Sequence, residues 1–202
     1  MAKIHPKSPI FIDSPCQYSS SEREIFTVWM KSLVINGNGC TVFGSEGEIV
    51  FRVDNYQTRR SREVFLMSSD GEVLFSVKRK NLQVFRSWGG HKFLNSKLHK
   101  EGEWFKVKRK CNIFRRGLIE CDVILGCNKV TLSCYKIVGL KGKSTLKIMD
   151  CESRVIVQAT PKQSFGGVSL GDDVLTLMVE PKIDQSFIMA LVIVYAMINN
   201  KL

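Results

Sequence analysis

The residues of this chain best placed to do chemistry are cationic. Lys106-Val107-Lys108-Arg109-Lys110 is a strand-like run, so residues 106, 108 and 110 fall on one face. Lys78-Arg79-Lys80 reads as the end of a strand opening into a turn, with Arg86 on the next strand and Arg115-Arg116 beside Gly117 at another turn. Ammonium groups gathered on one face repel each other until an anion sits among them, and phosphate oxygens are well suited to that role. We therefore expect Lys78, Lys80, Lys106, Lys108 and Lys110 to form a peripheral site for anionic lipid headgroups. The plainer reading is a solvated face that keeps the protein soluble. Charge distribution favours a local site: residues 78–143 hold 17 Lys or Arg against 4 Asp or Glu, a net of +13, within a chain of formal net charge +11.

No His-Glu-x-x-His and no P-loop is present, so no catalytic residue and no cofactor is expected. Gly37-Asn38-Gly39 lacks the third glycine and the helix of a dinucleotide site and reads as a hairpin turn. Asp172-Asp173 is an acidic pair in a loop, too few ligands for calcium. Seven cysteines (16, 40, 111, 121, 127, 134 and 151) form no Cys-x-x-Cys pair, and the three histidines (5, 91 and 99) are scattered. No metal site follows, and free thiols in a reducing compartment are expected. Cys16 is a low-specificity palmitoylation candidate. Nucleic-acid binding is a weaker reading of the same basic face. Phe85, Trp88, Trp104 and Phe105 interleave with the charges as stacking platforms would, but no nucleic-acid-binding module accompanies them.

Strands must position these lysines. Candidate strands are a run from Ile25, CTVF after the Asn36–Gly39 turn signal, and residues 62–67, 82–88, 103–109, 118–125, 129–137, 144–149 and 174–180. Three further strands come from an internal repeat. Glu46-Gly47-Glu48-Ile49-Val50-Phe51-Arg52-Val53 matches Asp70-Gly71-Glu72-Val73-Leu74-Phe75-Ser76-Val77, and Glu152–Ala159 is a weaker copy. Gly126, Gly139 with Gly142, and Gly166-Gly167 punctuate the strands. Residues 1–24, with Pro6, Pro9, Pro15 and three serines at 19–21, read as a mobile arm before a single domain at 25–202.

The chain then ends in one apolar helix, expected over residues 184–198. Its apolar run is shorter than the roughly 20 residues a bilayer crossing needs, so no transmembrane segment is expected. Asp184 is placed to N-cap it, and Lys201 lies near its negative end. About 12 strands closing into a barrel leave a hollow wider than their own side chains fill, on the usual relation of strand number to diameter. The helix fits that hollow. The expected fold is mainly β: a closed 12-stranded antiparallel barrel around a hydrophobic C-terminal helix.

TVWMKSLVINGNGCTVFGSEGEIVFRVDNY at 27–56, EVFLMSSDGEVLFSVKRKNLQVFRSW at 63–88 and VEPKIDQSFIMALVIVYAMI at 179–198 resemble the plant LURP-one-related family. The resemblance runs from about residue 24 to 198 and is least clear over 89–117. That family is similar in fold to the tubby C-terminal domain and to phospholipid scramblases, which implies the same barrel. The resemblance also implies a non-enzymatic binding or signalling module linked to plant defence. It would be cytoplasmic, at the plasma membrane periphery or in the nucleus. Tubby-like domains bind phosphoinositides through outer-wall Lys and Arg, which implies the same use for the lysines above. The competing expectation is a protein-interaction scaffold for signalling proteins, with no lipid ligand.

Overall fold

Alternation of apolar and polar residues builds most of this molecule. In Phe105–Arg109, Phe105 and Val107 are buried while the intervening Lys106 and Lys108 are not. Leu118–Leu125 buries Ile119, Cys121 and Val123 in the same manner. Such a pattern makes a strand with one dry face, which needs a core to cover it. The structure is a computed structural model that describes residues 17–30, 38–55, 63–81, 86–94, 97–98, 102–110, 117–126, 133–164, 166–171 and 173–202.

The strands are β1 (Glu24–Trp29), β2 (Asn38–Phe43), β3 (Ile49–Asn55), β4 (Glu63–Ser68), β5 (Val73–Asn81), β6 (Arg86–Leu94), β7 (Lys97–Leu98), β8 (Phe105–Arg109), β9 (Leu118–Leu125), β10 (Ser133–Leu140), β11 (Leu146–Asp150), β12 (Val155–Pro161) and β13 (Val174–Val179). Helix α1 (Gln185–Ile198) follows them. Every ladder is antiparallel. The order β5-β4-β3-β2-β1-β13-β12-β11-β10-β9-β8-β6 closes on itself through β5–β6, giving a ring of twelve strands with the short β7 appended to β6. Closure removes the exposed edges that an open sheet of this size would carry.

Helix α1 fills the ring. Ser186 to Ala196 and Ile198 are all buried, with Ile188, Ala190, Leu191 and Val194 at 0% exposure. Facing them are Phe51, Leu66, Phe75, Phe105, Ile137, Ile148, Leu175 and Leu177, each fully buried. Burial of one such side chain is worth roughly 1.5–3 kcal/mol, so the helix and the inner wall stabilise each other. Asp184 caps the helix, accepting from Phe187 N at 3.2 Å and from Ser186 Oγ at 2.5 Å, and Lys92 Nζ lies 3.2 Å from its other oxygen. At the far end Lys201 N donates to Ala196 O at 2.9 Å, and Lys201 Nζ meets Ser144 Oγ.

Two glycines inside strands are packing positions, and one of them, Gly139, is a position that the sequence pattern reads as punctuation. β6 runs straight through Gly89-Gly90, because a side chain at Gly90 would overlap the Phe105 ring. β10 likewise runs through Gly139. A Cβ there would lie 2.3 Å from the Tyr195 hydroxyl, which reaches the carbonyls of Leu140, Lys143 and Thr145 at 3.0, 3.1 and 2.9 Å. β5 also continues past Lys78–Lys80 to Asn81, where a turn was expected, because that stretch keeps its ladder to β6. Residues 36–37, 82–85 and 129–132 of the expected turn and strands lie outside the described residues, and Asn38-Gly39 opens β2.

The sequence repeat is a repeated turn. Gly47, Gly71 and Ser153 occupy equivalent places and have φ of +86°, +85° and +64°. In each copy the same two backbone bonds close the loop, Gly44 N to Glu48 O and Gly47 N to Gly44 O being the first pair. Ser164 N to Val168 O and Gly167 N to Ser164 O make a fourth copy that the sequence pattern did not reveal. Of the expected arm, residues 1–16 lie outside the described residues. Tyr18 is already held: its ring packs 5.3 Å from that of Phe51, and its carbonyl accepts from Gln185 N at 2.8 Å.

Candidate functional site

Strand register brings four of the five expected lysines together. Lys78 of β5 and Lys106 of β8 both pair with Gly89 of β6. Lys80 and Lys108 both pair with Ser87, one row along. Directly opposed residues point to the same face, and Val77, Phe105 and Val107 of the alternate set are buried. The four lysines therefore stand on the outer wall at the corners of a rectangle. Strand spacing makes it about 10 Å across β6 and about 7 Å along it. The two positions between them carry only a glycine and a serine, so the centre of the rectangle is low.

Glu63 of β4 stands opposite Lys78 and Asp122 of β9 opposite Lys108 in the ladders. Among the described residues, however, no ion pair within 4 Å joins a carboxylate to Lys78, Lys106 or Lys108, whereas Lys80 pairs with Glu103. Lys110 stands apart. β8 ends at Arg109, and Lys110 Nζ lies 3.0 Å from Asp122 Oδ1 and 3.5 Å from Glu120 Oε1. The Asp122 carboxylate, through its hydrogen bond, leads in raising the Lys110 pKa above its ordinary value. Lys136 lies 3.6 Å from the same Glu120 oxygen, so this neighbouring network is close to balanced. It borders a depression of about 360 Å³ that Asp150, Cys151 and Ser153 also line.

Other candidates fare differently. Trp88 and Phe105 are 1% and 0% exposed, and Trp104 packs edge-on against Phe187 with ring centroids 5.0 Å apart. Trp88 and Phe105 alternate inward along their strands, and the partly buried Trp104, just before β8, is engaged by Phe187, so these rings form no row of stacking platforms on the outer wall. Phe85, Cys16, Arg115, Arg116 and Asp172 lie outside the described residues. Arg79 pairs with Trp88 and falls on the face opposite Lys78 and Lys80. Cys40 and Cys121 are buried and Cys151 is exposed, none of the three in a disulfide. Burial pushes the Cys121 thiol up to about 12, which leaves it protonated and inert.

One catalytic spelling escaped the sequence reading. Gly167-Val168-Ser169-Leu170-Gly171 has the Gly-x-Ser-x-Gly pattern of a nucleophile elbow. An elbow needs a strand, a sharp turn and a helix. Here the segment is the connection between β12 and β13, Ser169 bridges to Gln163, and its hydroxyl accepts from Gly171 N at 3.4 Å. Among the described residues no His, Cys, Asp and Glu side chains gather three at a time as metal ligands would.

A family model described as LURP-one-related matches residues 24–196, the entire barrel and nearly all of its helix. The chain belongs to the LURP-one-related family. Within that family it is 41% identical over 209 residues to LURP-one-related protein 11 of Arabidopsis thaliana, covering 98% of this chain and 89% of that one. It is 40% identical to LURP-one-related protein 4 of the same plant, covering 98% and 87%. A crystal structure of an Arabidopsis thaliana protein superposes with a TM-score of 0.66 at 16% identity, over 94% of this chain and 98% of that one, and so shares the fold. Among the described residues no helix of this LURP-one-related barrel is long and apolar enough to cross a membrane.

Proposed function

We propose that this LURP-one-related barrel is a non-enzymatic docking module. It binds the anionic, phosphoinositide-bearing cytoplasmic face of a membrane through Lys78, Lys80, Lys106 and Lys108, as part of plant defence signalling. Kinship with tubby-like barrels belongs to the same proposal. The observation that supports it most is the register: two cross-strand rows, Lys78–Gly89–Lys106 and Lys80–Ser87–Lys108, put four ammonium groups around a low centre. Each basic residue near an anionic surface contributes about 1 kcal/mol, so four acting together suffice for reversible attachment. Lys110 is left out of the site, since Asp122 and Glu120 already neutralise it.

Sedimentation with phosphatidylcholine vesicles, with and without phosphatidylinositol 4,5-bisphosphate, tests the proposal. The chain should pellet with the phosphoinositide vesicles and release as salt rises, because surface attraction is screened within about 8–10 Å at physiological ionic strength. Equal partition into both vesicle types would refute it. The competing reading, a scaffold for protein partners, draws on the exposed apolar pair Val168 (68%) and Leu170 (50%) in the β12–β13 connection. A partner captured equally by the wild type and by the Lys78/Lys106/Lys108→Glu variant would favour that scaffold.

A further inference from the structure

The lysine wall contains two polar groups whose state the barrel itself does not explain. Ser87, between Lys80 and Lys108, is 1% exposed, yet its hydroxyl has no hydrogen-bond partner. Buried hydroxyls are nearly always paired, so an orphan one on an outward-facing position asks for a partner that comes from outside. One row along, the Glu103 carboxylate lies over Gly89. A Cβ on Gly89 would sit 2.0 Å from Glu103 Oε1 and 3.4 Å from Lys80 Cε. Glu103 forms a close ion pair with Lys80, but its Oε1 accepts no well-aligned hydrogen bond. Both side chains keep access to solvent, at 25% and 39% exposure. Among the described residues it is over Gly89 that a carboxylate reaches the middle of the lysine quartet, and the missing side chain lets it in.

We propose that Ser87 and Gly89 form the floor of a phosphomonoester seat, and that Glu103 is its built-in counter-ion. In the empty protein the carboxylate neutralises one lysine and covers the floor. A phosphate carrying close to two negative charges outcompetes it. Lys80 turns from Glu103 to the phosphate, Lys108 closes from the other side, and the Ser87 hydroxyl donates to a phosphate oxygen. Lys78 and Lys106 remain for a second phosphate on the same headgroup. The inference rests on the anionic-membrane reading above and sharpens it, from attraction by charge to recognition of a phosphorylated headgroup.

Calorimetric titration of the full chain with soluble inositol 1,4,5-trisphosphate tests the seat without a membrane. Glu103→Gln should bind about tenfold tighter, because a charge-assisted competitor is gone. Glu180→Gln makes the same change of net charge near the start of the far wall, where Glu180 pairs with Arg23, and should change affinity about twofold at most. Ser87→Ala should weaken binding at least about tenfold, the worth of a hydrogen bond to a charged group. Thermal melts of each variant confirm that it is folded. Equal gains from Glu103→Gln and Glu180→Gln, an unchanged Ser87→Ala, or no binding by any variant would each overturn the seat. A parallel arm uses vesicles containing phosphatidylinositol 4,5-bisphosphate. Binding of the soluble headgroup without vesicle binding removes the membrane reading and keeps the seat. Vesicle binding without the Glu103 and Ser87 effects does the reverse.

Discussion

Cys121 and Cys151 carry the same functional group in opposite settings. Cys121 is 0% exposed and burial holds its thiol near 12, while Cys151 is exposed in the turn after β11. The thiolate is the reactive species. In native protein at neutral pH, iodoacetamide should modify Cys151 within minutes and leave Cys121 intact until the protein is unfolded, as peptide mass mapping would read. The lysines follow the same logic of setting over type. Lys78, Lys80, Lys106 and Lys108 were legible in the sequence because a period of two along a strand needs only local reading. Lys110 was not, since its partners Glu120 and Asp122 lie on the next strand of the ring, beyond a connection. Glu103 was invisible for a related reason. One of few acids in a basic segment looks incidental, and its placement depends on the absent side chain of Gly89.

At the scale of elements, one hairpin turn is used four times among the described residues, and its third copy departs from the rule that glycine occupies the left-handed position. Ser153 adopts φ +64° where the other copies have Gly47, Gly71 and Gly167. A non-glycine residue in that region costs about 1 kcal/mol. Ser153→Gly should therefore raise stability by about 0.5–1 kcal/mol, a gain of about 1–4 °C in Tm for a domain of this size. Differential scanning calorimetry reads it, and a lower Tm would contradict the turn assignment. Asp150 helps hold the same turn. Burial raises its pKa, but donation from the Arg154 and Glu152 backbone and from the Arg154 guanidinium outweighs burial, so the carboxyl titrates below its ordinary 3.8. That contribution to stability is complete above pH 3.8 and is lost as pH falls through the lower folded value. Three copies of the turn were legible from the acid that precedes the left-handed residue, Glu46, Asp70 and Glu152. The fourth lacks an acid and was read only as a glycine-rich break. The same habit misread Gly139, whose role is to admit Tyr195, while Gly90, not singled out in the sequence, admits Phe105 in the same way.

At the scale of the molecule, helix and barrel are one decision. A closed ring of twelve strands needs a filling, and an apolar helix too short for a bilayer needs a shelter. The length of the helix, its Asp184 cap and the strand count were enough to reach that architecture from sequence, because each is set by local residues. Val194 is fully buried, so Val194→Arg would leave an unpaired charge in the core, costing several kcal/mol of a total that is typically about 5–15. No soluble folded protein should be recovered, by circular dichroism and size exclusion. A soluble, folded variant would mean that the helix is not the core. With the greasiest segment enclosed, the proposed membrane contact falls to the outer wall. The direct test is vesicle flotation with matched charge reversals on two walls, using phosphatidylinositol 4,5-bisphosphate vesicles. Lys106→Glu with Lys108→Glu should abolish flotation, while Lys141→Glu with Lys143→Glu, in the turn between β10 and β11, should leave most of it. Equal loss from both pairs, or none from either, would contradict the lysine wall as the docking surface.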